Sequence, residues 1–258
     1  MKNLLHIGNI KEICSMKIIP LKEGNFSASK TKDFTLLTEG NFDKVGGIKM
    51  SVQPFLIISE NDYILLDAGI GWKNESGTTV ISEILERENI HPGQITKLLF
   101  SHLHKDHIQG AVALTDSGFE AAFPNARIYI QKRELDFAME QKGNPSFDFD
   151  MLEKLIQLPN IIWMNEDQGQ ITNEISYEVV GGHTPFMQVF WISENEETVF
   201  YGADDLPQAS YLQYHLAYKS DFDGRKAMEL RLKWEKEARE NQWKILLYHD
   251  LDNAIAEV

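Results

Sequence analysis

Ser101-His102-Leu103-His104-Lys105-Asp106-His107 places three imidazoles and one carboxylate within six consecutive positions. The chain has only eight histidines in 258 residues, so three in one short run ask for a cause. Imidazole is the commonest transition-metal ligand, and carboxylate is its usual companion. An exposed polar loop with a chance cluster is the competing reading, and the flanking sequence decides between the two. Immediately upstream, Ile95–Phe100 is a short apolar run after Pro92-Gly93. It reads as a buried strand that delivers the chain into His102. Alternation in extended backbone puts His102 and His104 on one side. Asp106 and His107 follow as the chain turns. Two groups of donors on one turn can serve two metal ions, but one segment completes neither coordination shell. Further donors must arrive from the ends of later strands.

They are present. The predicted strand Tyr177–Val180 leads into Gly181-Gly182-His183-Thr184-Pro185. Thr198–Gly202 leads into Ala203-Asp204-Asp205, and Trp243–Tyr248 leads into His249-Asp250. Five of the eight histidines therefore sit at predicted strand ends. His6, His91 and His215 do not, and they read as ordinary surface or core residues.

Further strands are predicted at Met16–Leu21, Val52–Ser59, Tyr63–Asp67, Ala126–Ile130, Ile161–Met164 and Val189–Ser193, with a turn at Asn61-Asp62. Helical periodicity marks Thr79–Asn89, Gln131–Glu140, Phe149–Leu158 and Gly224–Glu240. In the last, Ala227, Leu230, Trp234 and Ala238 share one face, and Asp221 and Asp223 offer N-cap chemistry. Strands followed by a helix, then the same again, predict an α+β or layered α/β architecture. No repeat or linker divides the chain, so one domain over 16–258 is expected, preceded by an N-terminal extension, 1–15.

Hydrophobic content of 43% and charged content of 25% suit a globular protein with a substantial core. A net charge of −14 disfavours nucleic acid, which needs a basic footprint, and an anionic membrane surface. No apolar run approaches the roughly 20 residues that span a bilayer. Met1–Gly8 has neither an uninterrupted apolar region nor a small-residue cleavage site, so no secretory leader is expected. Cys14 is the only cysteine and reads as a small apolar filler. No intrachain disulfide can form, which suits a reducing, cytoplasmic location. Expected partners are a small-molecule substrate and, as an assembly, a homodimer. Neither nucleic acid nor membrane is expected.

Leu66-Asp67-Ala68-Gly69, Ser101–His107, Gly182-His183-Thr184-Pro185, Ala203-Asp204 and Tyr248-His249-Asp250 resemble, in order, the motifs of the metallo-β-lactamase-fold hydrolase superfamily. The resemblance covers nearly all of the chain after Met16. It implies an αββα sandwich with a dinuclear site along one edge of two sheets. It assigns His102, His104 and His183 to one metal and Asp106, His107 and His249 to the other, with Asp204 bridging. Asp205 competes for the bridge. Asp67 matches the family's supporting carboxylate, and Asp250 is a weaker supporting candidate. Two divalent ions are implied. Zinc is the default for this donor set, and iron, manganese or cobalt are admitted. The expected chemistry is hydrolysis of a small ester, lactone or phosphoester by a metal-bridging hydroxide, with Asp106 as ligand and orienter of the nucleophile.

Departures from the family pattern bear on substrate. Phe186 stands where many members have glycine. Pro207 stands where acyl-homoserine lactone lactonases carry a tyrosine. His104 stands where oxygen-reducing diiron relatives have a glutamate, which argues against that redox branch. The closest likeness is to lactonase-like and organophosphate hydrolase-like members. Phe186, Tyr211 and Tyr214 are candidate pocket residues, with Phe26 and Trp72 behind them. The segment 143–149 reads as a surface loop. A redox member of the superfamily and a non-catalytic metal sensor are the alternatives. Metal analysis and oxygen consumption separate them from a hydrolase.

Overall fold

Alternating side chains along the first strands point to two different partners, and that split layers the molecule. The computed structural model describes residues 16–214 and 216–258. The expected extension 1–15, with His6 and Cys14, and the aromatic-segment His215 lie outside the described residues.

In chain order, β1 (Lys17–Pro20), β2 (Gly24–Ala28), β3 (Phe34–Leu36), β4 (Ile48–Val52), β5 (Phe55–Ile58) and β6 (Tyr63–Leu66) precede α1 (Val80–Arg87). Next come β7 (Lys97–Leu99), α2 (Lys105–Ile108), β8 (Val112–Thr115), β9 (Gly118–Ala121), β10 (Arg127–Gln131), α3 (Lys132–Glu140), α4 (Phe149–Leu155) and β11 (Ile161–Met164). The remainder is β12 (Gln168–Gln170), β13 (Ile175–Val179), β14 (Gln188–Glu194), β15 (Glu197–Tyr201), α5 (Ser210–Tyr214), α6 (Gly224–Asn241), β16 (Lys244–Leu246) and β17 (Ile255–Glu257). One sheet runs β1-β5-β6-β7-β10-β11, and a second runs β12-β13-β14-β15-β16-β17. A small sheet, β3-β2-β4, and the hairpin β8-β9 complete the set.

In the first sheet Phe55, Ile57, Leu66 and Leu99 face the second sheet. Their neighbours Leu56, Leu65, Leu98 and Ile130 face Ile81 and Leu85 of α1, Leu135 of α3 and Leu152 of α4. The parallel strands β6, β7 and β10 are covered on both faces, which explains the unbroken apolar runs there. Phe55 and Tyr201 meet between the sheets at 6.1 Å. Beyond the second sheet, Phe200 packs on Trp234 of α6 at 5.0 Å. Trp234 is fully buried, and its loss to alanine would cost about 3–5 kcal/mol. The layers are α/β/β/α, the αββα sandwich expected of the sequence.

Three local outcomes differ from the sequence expectation. The predicted strand Val52–Ser59 is two strands, because Pro54 lacks a donor and its carbonyl accepts the Leu21 N–H at 2.7 Å. β4 joins the small sheet, and β5 joins the large one. On α6 the fully buried positions are Ala227, Arg231, Trp234 and Ala238, with Leu230 partly buried against the same core, so that the inward face also carries an arginine. Arg231 is drawn inward because its guanidinium donates to the carbonyls of Asp205, at 2.8 Å, and Leu216. Finally, Asp223 caps α6 by accepting the Lys226 N–H at 2.9 Å, while Asp221 is engaged elsewhere.

Candidate metal centre

The segments that follow β6, β7, β13, β15 and β16 converge, and the side chains they carry form one polar cluster. Among the described residues, His102, His104, His183 and Asp204 form one group able to hold a metal ion. Asp106, His107 and His249 form a second. Within each group the donor atoms lie within 4.8 Å of one another. Asp204 stands between the groups. Its Oδ2 lies 3.3 Å from His183 Nε2, and its Oδ1 lies 3.3 Å from His107 Nε2 and 3.1 Å from His249 Nε2. α2 starts just after His104 and turns His107 into the core, where it stacks on Tyr248 at 4.1 Å. Asp106 Oδ2 stays 3.7 Å from His249 Nε2, and the Asp106 carbonyl accepts the Tyr248 hydroxyl at 2.7 Å.

Four of the five imidazoles, all but His104, are oriented by the nitrogen that faces away from the cluster. His107 Nδ1 donates to Asp67 Oδ2 at 2.8 Å. His249 Nδ1 donates to the Ser51 carbonyl at 2.7 Å, and His183 Nδ1 to Asp221 Oδ1 at 2.9 Å. His102 Nδ1 meets Ser101 Oγ at 3.0 Å, and that hydroxyl donates to Asp67 at 2.6 Å. A ring whose Nδ1 holds the proton presents a bare lone pair at Nε2, the form that binds metal. His104 Nδ1 lies 3.1 Å from His183 Nε2, so two ring nitrogens point at a common place.

The buried atoms His102 Nε2, His107 Nε2 and Asp204 Oδ1 have no hydrogen-bond partner among the described residues. Each such atom costs about 1–3 kcal/mol if left unpaired. Cations held between the groups would satisfy all three, so the residues present fit the metal pair that the motifs imply. The electrostatics agree. Burial, reinforced by the neighbouring imidazoles, holds His102 and His104 well below the ordinary histidine value. Burial opposes a charge on His107 and His183 as well, yet Asp204 acting together with Asp67 at His107, and with Asp221 at His183, outweighs it and raises both. Burial likewise opposes the Asp204 charge, but His249, His107 and His183 hold it well below the usual carboxylate range. The centre calls for positive charge around Asp204.

The remaining candidates fall in several places. Asp205 turns away from the cluster and accepts the His183 N–H at 2.7 Å from beneath. Gly182 permits that approach, since a Cβ there would overlap the Asp205 carboxylate. Asp67 is fully buried and also accepts Ser101 N–H at 2.8 Å and the Tyr201 hydroxyl at 2.6 Å. Asp250 accepts the N–H groups of Ala209, Asp252 and Asn253 and shows no bond to the seven cluster residues. Phe186 lies over the Arg133 guanidinium at 5.1 Å, in a hollow shared with Pro185 and Lys226 rather than with the cluster. Tyr211 stacks on Tyr218 at 4.5 Å, and Arg231 sits over its ring. Tyr214 is 65% exposed. Phe26 and Trp72 meet edge to face at 5.1 Å. Phe147, from the expected surface loop, is buried and packs on His104 at 4.8 Å. A cavity of about 400 Å³ beside Gln109 and Gly110 contains none of the seven.

Sequence reasoning missed the roles of Asp221, Ser51 and Glu134. In the sequence Asp221 reads as helix-cap chemistry, and Ser51 acts through its backbone. Glu134 is buried under the His183 turn.

No curated protein matches the chain. Solved structures do. A probable metal-dependent hydrolase from Staphylococcus aureus superposes with a TM-score of 0.71 at 18% identity, over 96% of this chain and 98% of that one. AidC, a dizinc quorum-quenching lactonase, gives 0.69 at 21% identity, over 95% and 91%. The hydrolase AbOPH of the beta-lactamase superfamily gives 0.69 at 20% identity, over 94% and 89%. At such identities the likeness speaks for the fold. The family model of the metallo-beta-lactamase superfamily matches residues 49–243, a span that runs from within β4 to beyond α6 and holds every cluster residue except His249. With the layered fold and the ordered motifs, that match settles the family: the chain belongs to the metallo-beta-lactamase superfamily.

Proposed function

We propose that residues 16–258 form a metal-dependent hydrolase of small ester, lactone or phosphoester substrates. His102, His104 and His183 would hold one divalent cation, Asp106, His107 and His249 the other, and Asp204 would serve both. The observation that carries this reading is the Asp204 carboxylate, placed 3.1–3.3 Å from histidines of both groups. Likeness to a dizinc lactonase and to two hydrolases supports the reaction class and favours zinc.

When bound, such a pair supplies Lewis acidity: it yields a nucleophile from water near neutral pH and polarises the bond under attack. The chain supplies the rest. Asp67, Ser51 and Asp221 keep three rings in the tautomer that leaves Nε2 free. Asp106, with Oδ2 beside His249, is placed to orient the attacking group and take its proton. The Tyr211 hydroxyl, held rigid by Tyr218 and Arg231 and within electrostatic reach of Asp204, is our candidate for contact with substrate.

The test is a panel of lactones, aryl esters, phosphotriesters, β-lactams and glutathione thioesters offered to zinc-reconstituted protein. Chelator-sensitive turnover of a lactone, ester or phosphotriester is expected. Absence of all turnover from protein that holds two ions would refute the proposal.

A further inference from the structure

Among the described residues, four carboxylates outside the ligand set are buried: Glu23, Asp67, Glu134 and Asp205. Glu134 differs from the rest in what it joins. It projects from the first turn of α3 and is only 1% exposed. Its Oε2 accepts the Thr184 hydroxyl at 2.9 Å and the Phe186 N–H at 3.2 Å. The Leu103 N–H faces the same carboxyl group, whose buried Oε1 makes no hydrogen bond among the described residues. Leu103 sits between His102 and His104, and Thr184 follows His183. One side chain therefore bonds the turn that carries His183 and lies beside the backbone between His102 and His104. It makes no bond to Asp106, His107 or His249.

We propose that Glu134 is a positioning residue for the His102, His104 and His183 group, acting through Leu103 and Thr184. This rests on the metal-dependent reading above. The physical reason is geometric. Two strand-end segments converge on one cation only if their backbones keep a fixed separation. The Gln188 N–H to Ser101 carbonyl bond, at 2.8 Å, fixes that separation at one point. Glu134 fixes it at a second, beside the ligands themselves. Supporting residues of this kind are worth about 10–100-fold in metal affinity.

The selectivity separates a positioning role from a merely structural one. Loss of Glu134 should weaken one of the two ions and spare the other, whereas a general loss of stability would weaken both. Glu134→Ala removes all the contacts. Glu134→Gln keeps an acceptor for Thr184 and Phe186 but turns an amide NH₂ toward the Leu103 N–H. Zinc titration against a competing chelator resolves two binding steps, and cobalt absorption reports the geometry of each. Thermal unfolding of the metal-free variants shows that they are folded.

The expected result is a rise of about 10–100-fold in Kd for one ion in Glu134→Ala, a smaller rise in Glu134→Gln, and an unchanged second step in both. If the alanine variant does not fold, the glutamine variant decides. Equal weakening of both ions, or two unchanged steps, overturns the inference while leaving the hydrolase reading intact. Wild-type protein that binds no metal overturns both.

Discussion

Replacing Asp67 by asparagine changes one atom and should disable one metal position. Asp67 has φ of +55°, a conformation that asparagine tolerates, so the backbone does not resist the change. Oδ1 accepts the Ser101 N–H, which can only donate, so the amide oxygen must take that place. The NH₂ group then replaces Oδ2 and faces three former donors: Ser101 Oγ at 2.6 Å, Tyr201 OH at 2.6 Å and His107 Nδ1 at 2.8 Å. The hydroxyls can rotate and accept. His107 can accept only by giving up its Nδ1 proton, and the ring then carries hydrogen at Nε2, the atom aimed at Asp204. Affinity for the ion of the His107 group should fall about 10–100-fold, equivalent to about 1.4–2.7 kcal/mol. Lost charge-assisted bonds should lower stability by about 1–3 kcal/mol. Chelator competition measures the first effect, denaturant unfolding the second, and ¹⁵N shifts of His107 report the tautomer. Unchanged binding of both ions, with hydrogen still on Nδ1, would refute this reasoning.

Asp204→Asn should abolish coupled binding of the two ions and reduce kcat/KM beyond the roughly 10–100-fold typical of a supporting residue, whereas Asp205→Asn should stay within about tenfold. Steady-state kinetics with metal analysis decides, and the reverse order would exchange their roles. Gly182→Ala should cost about 1–3 kcal/mol in denaturant unfolding, because the new Cβ overlaps the Asp205 carboxylate; wild-type stability would mean that Asp205 can withdraw. Burial pushes the Glu23 carboxyl up to about 8, while in the unfolded chain it titrates near 4.3. Between those values the folded protein keeps a proton that the unfolded chain has released. Stability of the metal-free protein should therefore fall as pH rises across that window, by up to about 1.4 kcal/mol per unit from this group. Glu23→Gln should flatten the slope, and parallel unfolding curves for the two proteins would contradict the assignment.

The ligand-bearing segments were legible in the sequence because each follows a stretch that reads as a strand. His102, His183, Asp204 and His249 all stand just past such stretches, so strand ends and donor types together pointed to one edge of a sandwich. Asp67 was legible from its motif Leu66-Asp67-Ala68-Gly69, but the other supporting residues were not, for separate physical reasons. Asp221 and Asp223 both precede α6 and look alike as caps, and only the fold brings Asp221 to His183. Ser51 orients His249 with its carbonyl, a group that every residue has. Glu134 lies on a helix with Leu135 and Ala138, and in one dimension it is one more acidic residue. Phe186 looked like a pocket wall beside His183, but the turn carries its ring to Arg133. Arg231 sits inside because two backbone carbonyls await it, a demand that hydrophobic periodicity does not register.

The most direct test of the central claim is anomalous diffraction at the zinc edge from crystals of the zinc-loaded protein. The account predicts two peaks about 3.5–4 Å apart on either side of the Asp204 carboxylate, one among His102, His104 and His183 and one among Asp106, His107 and His249. A single peak, or peaks away from Asp204, would contradict it.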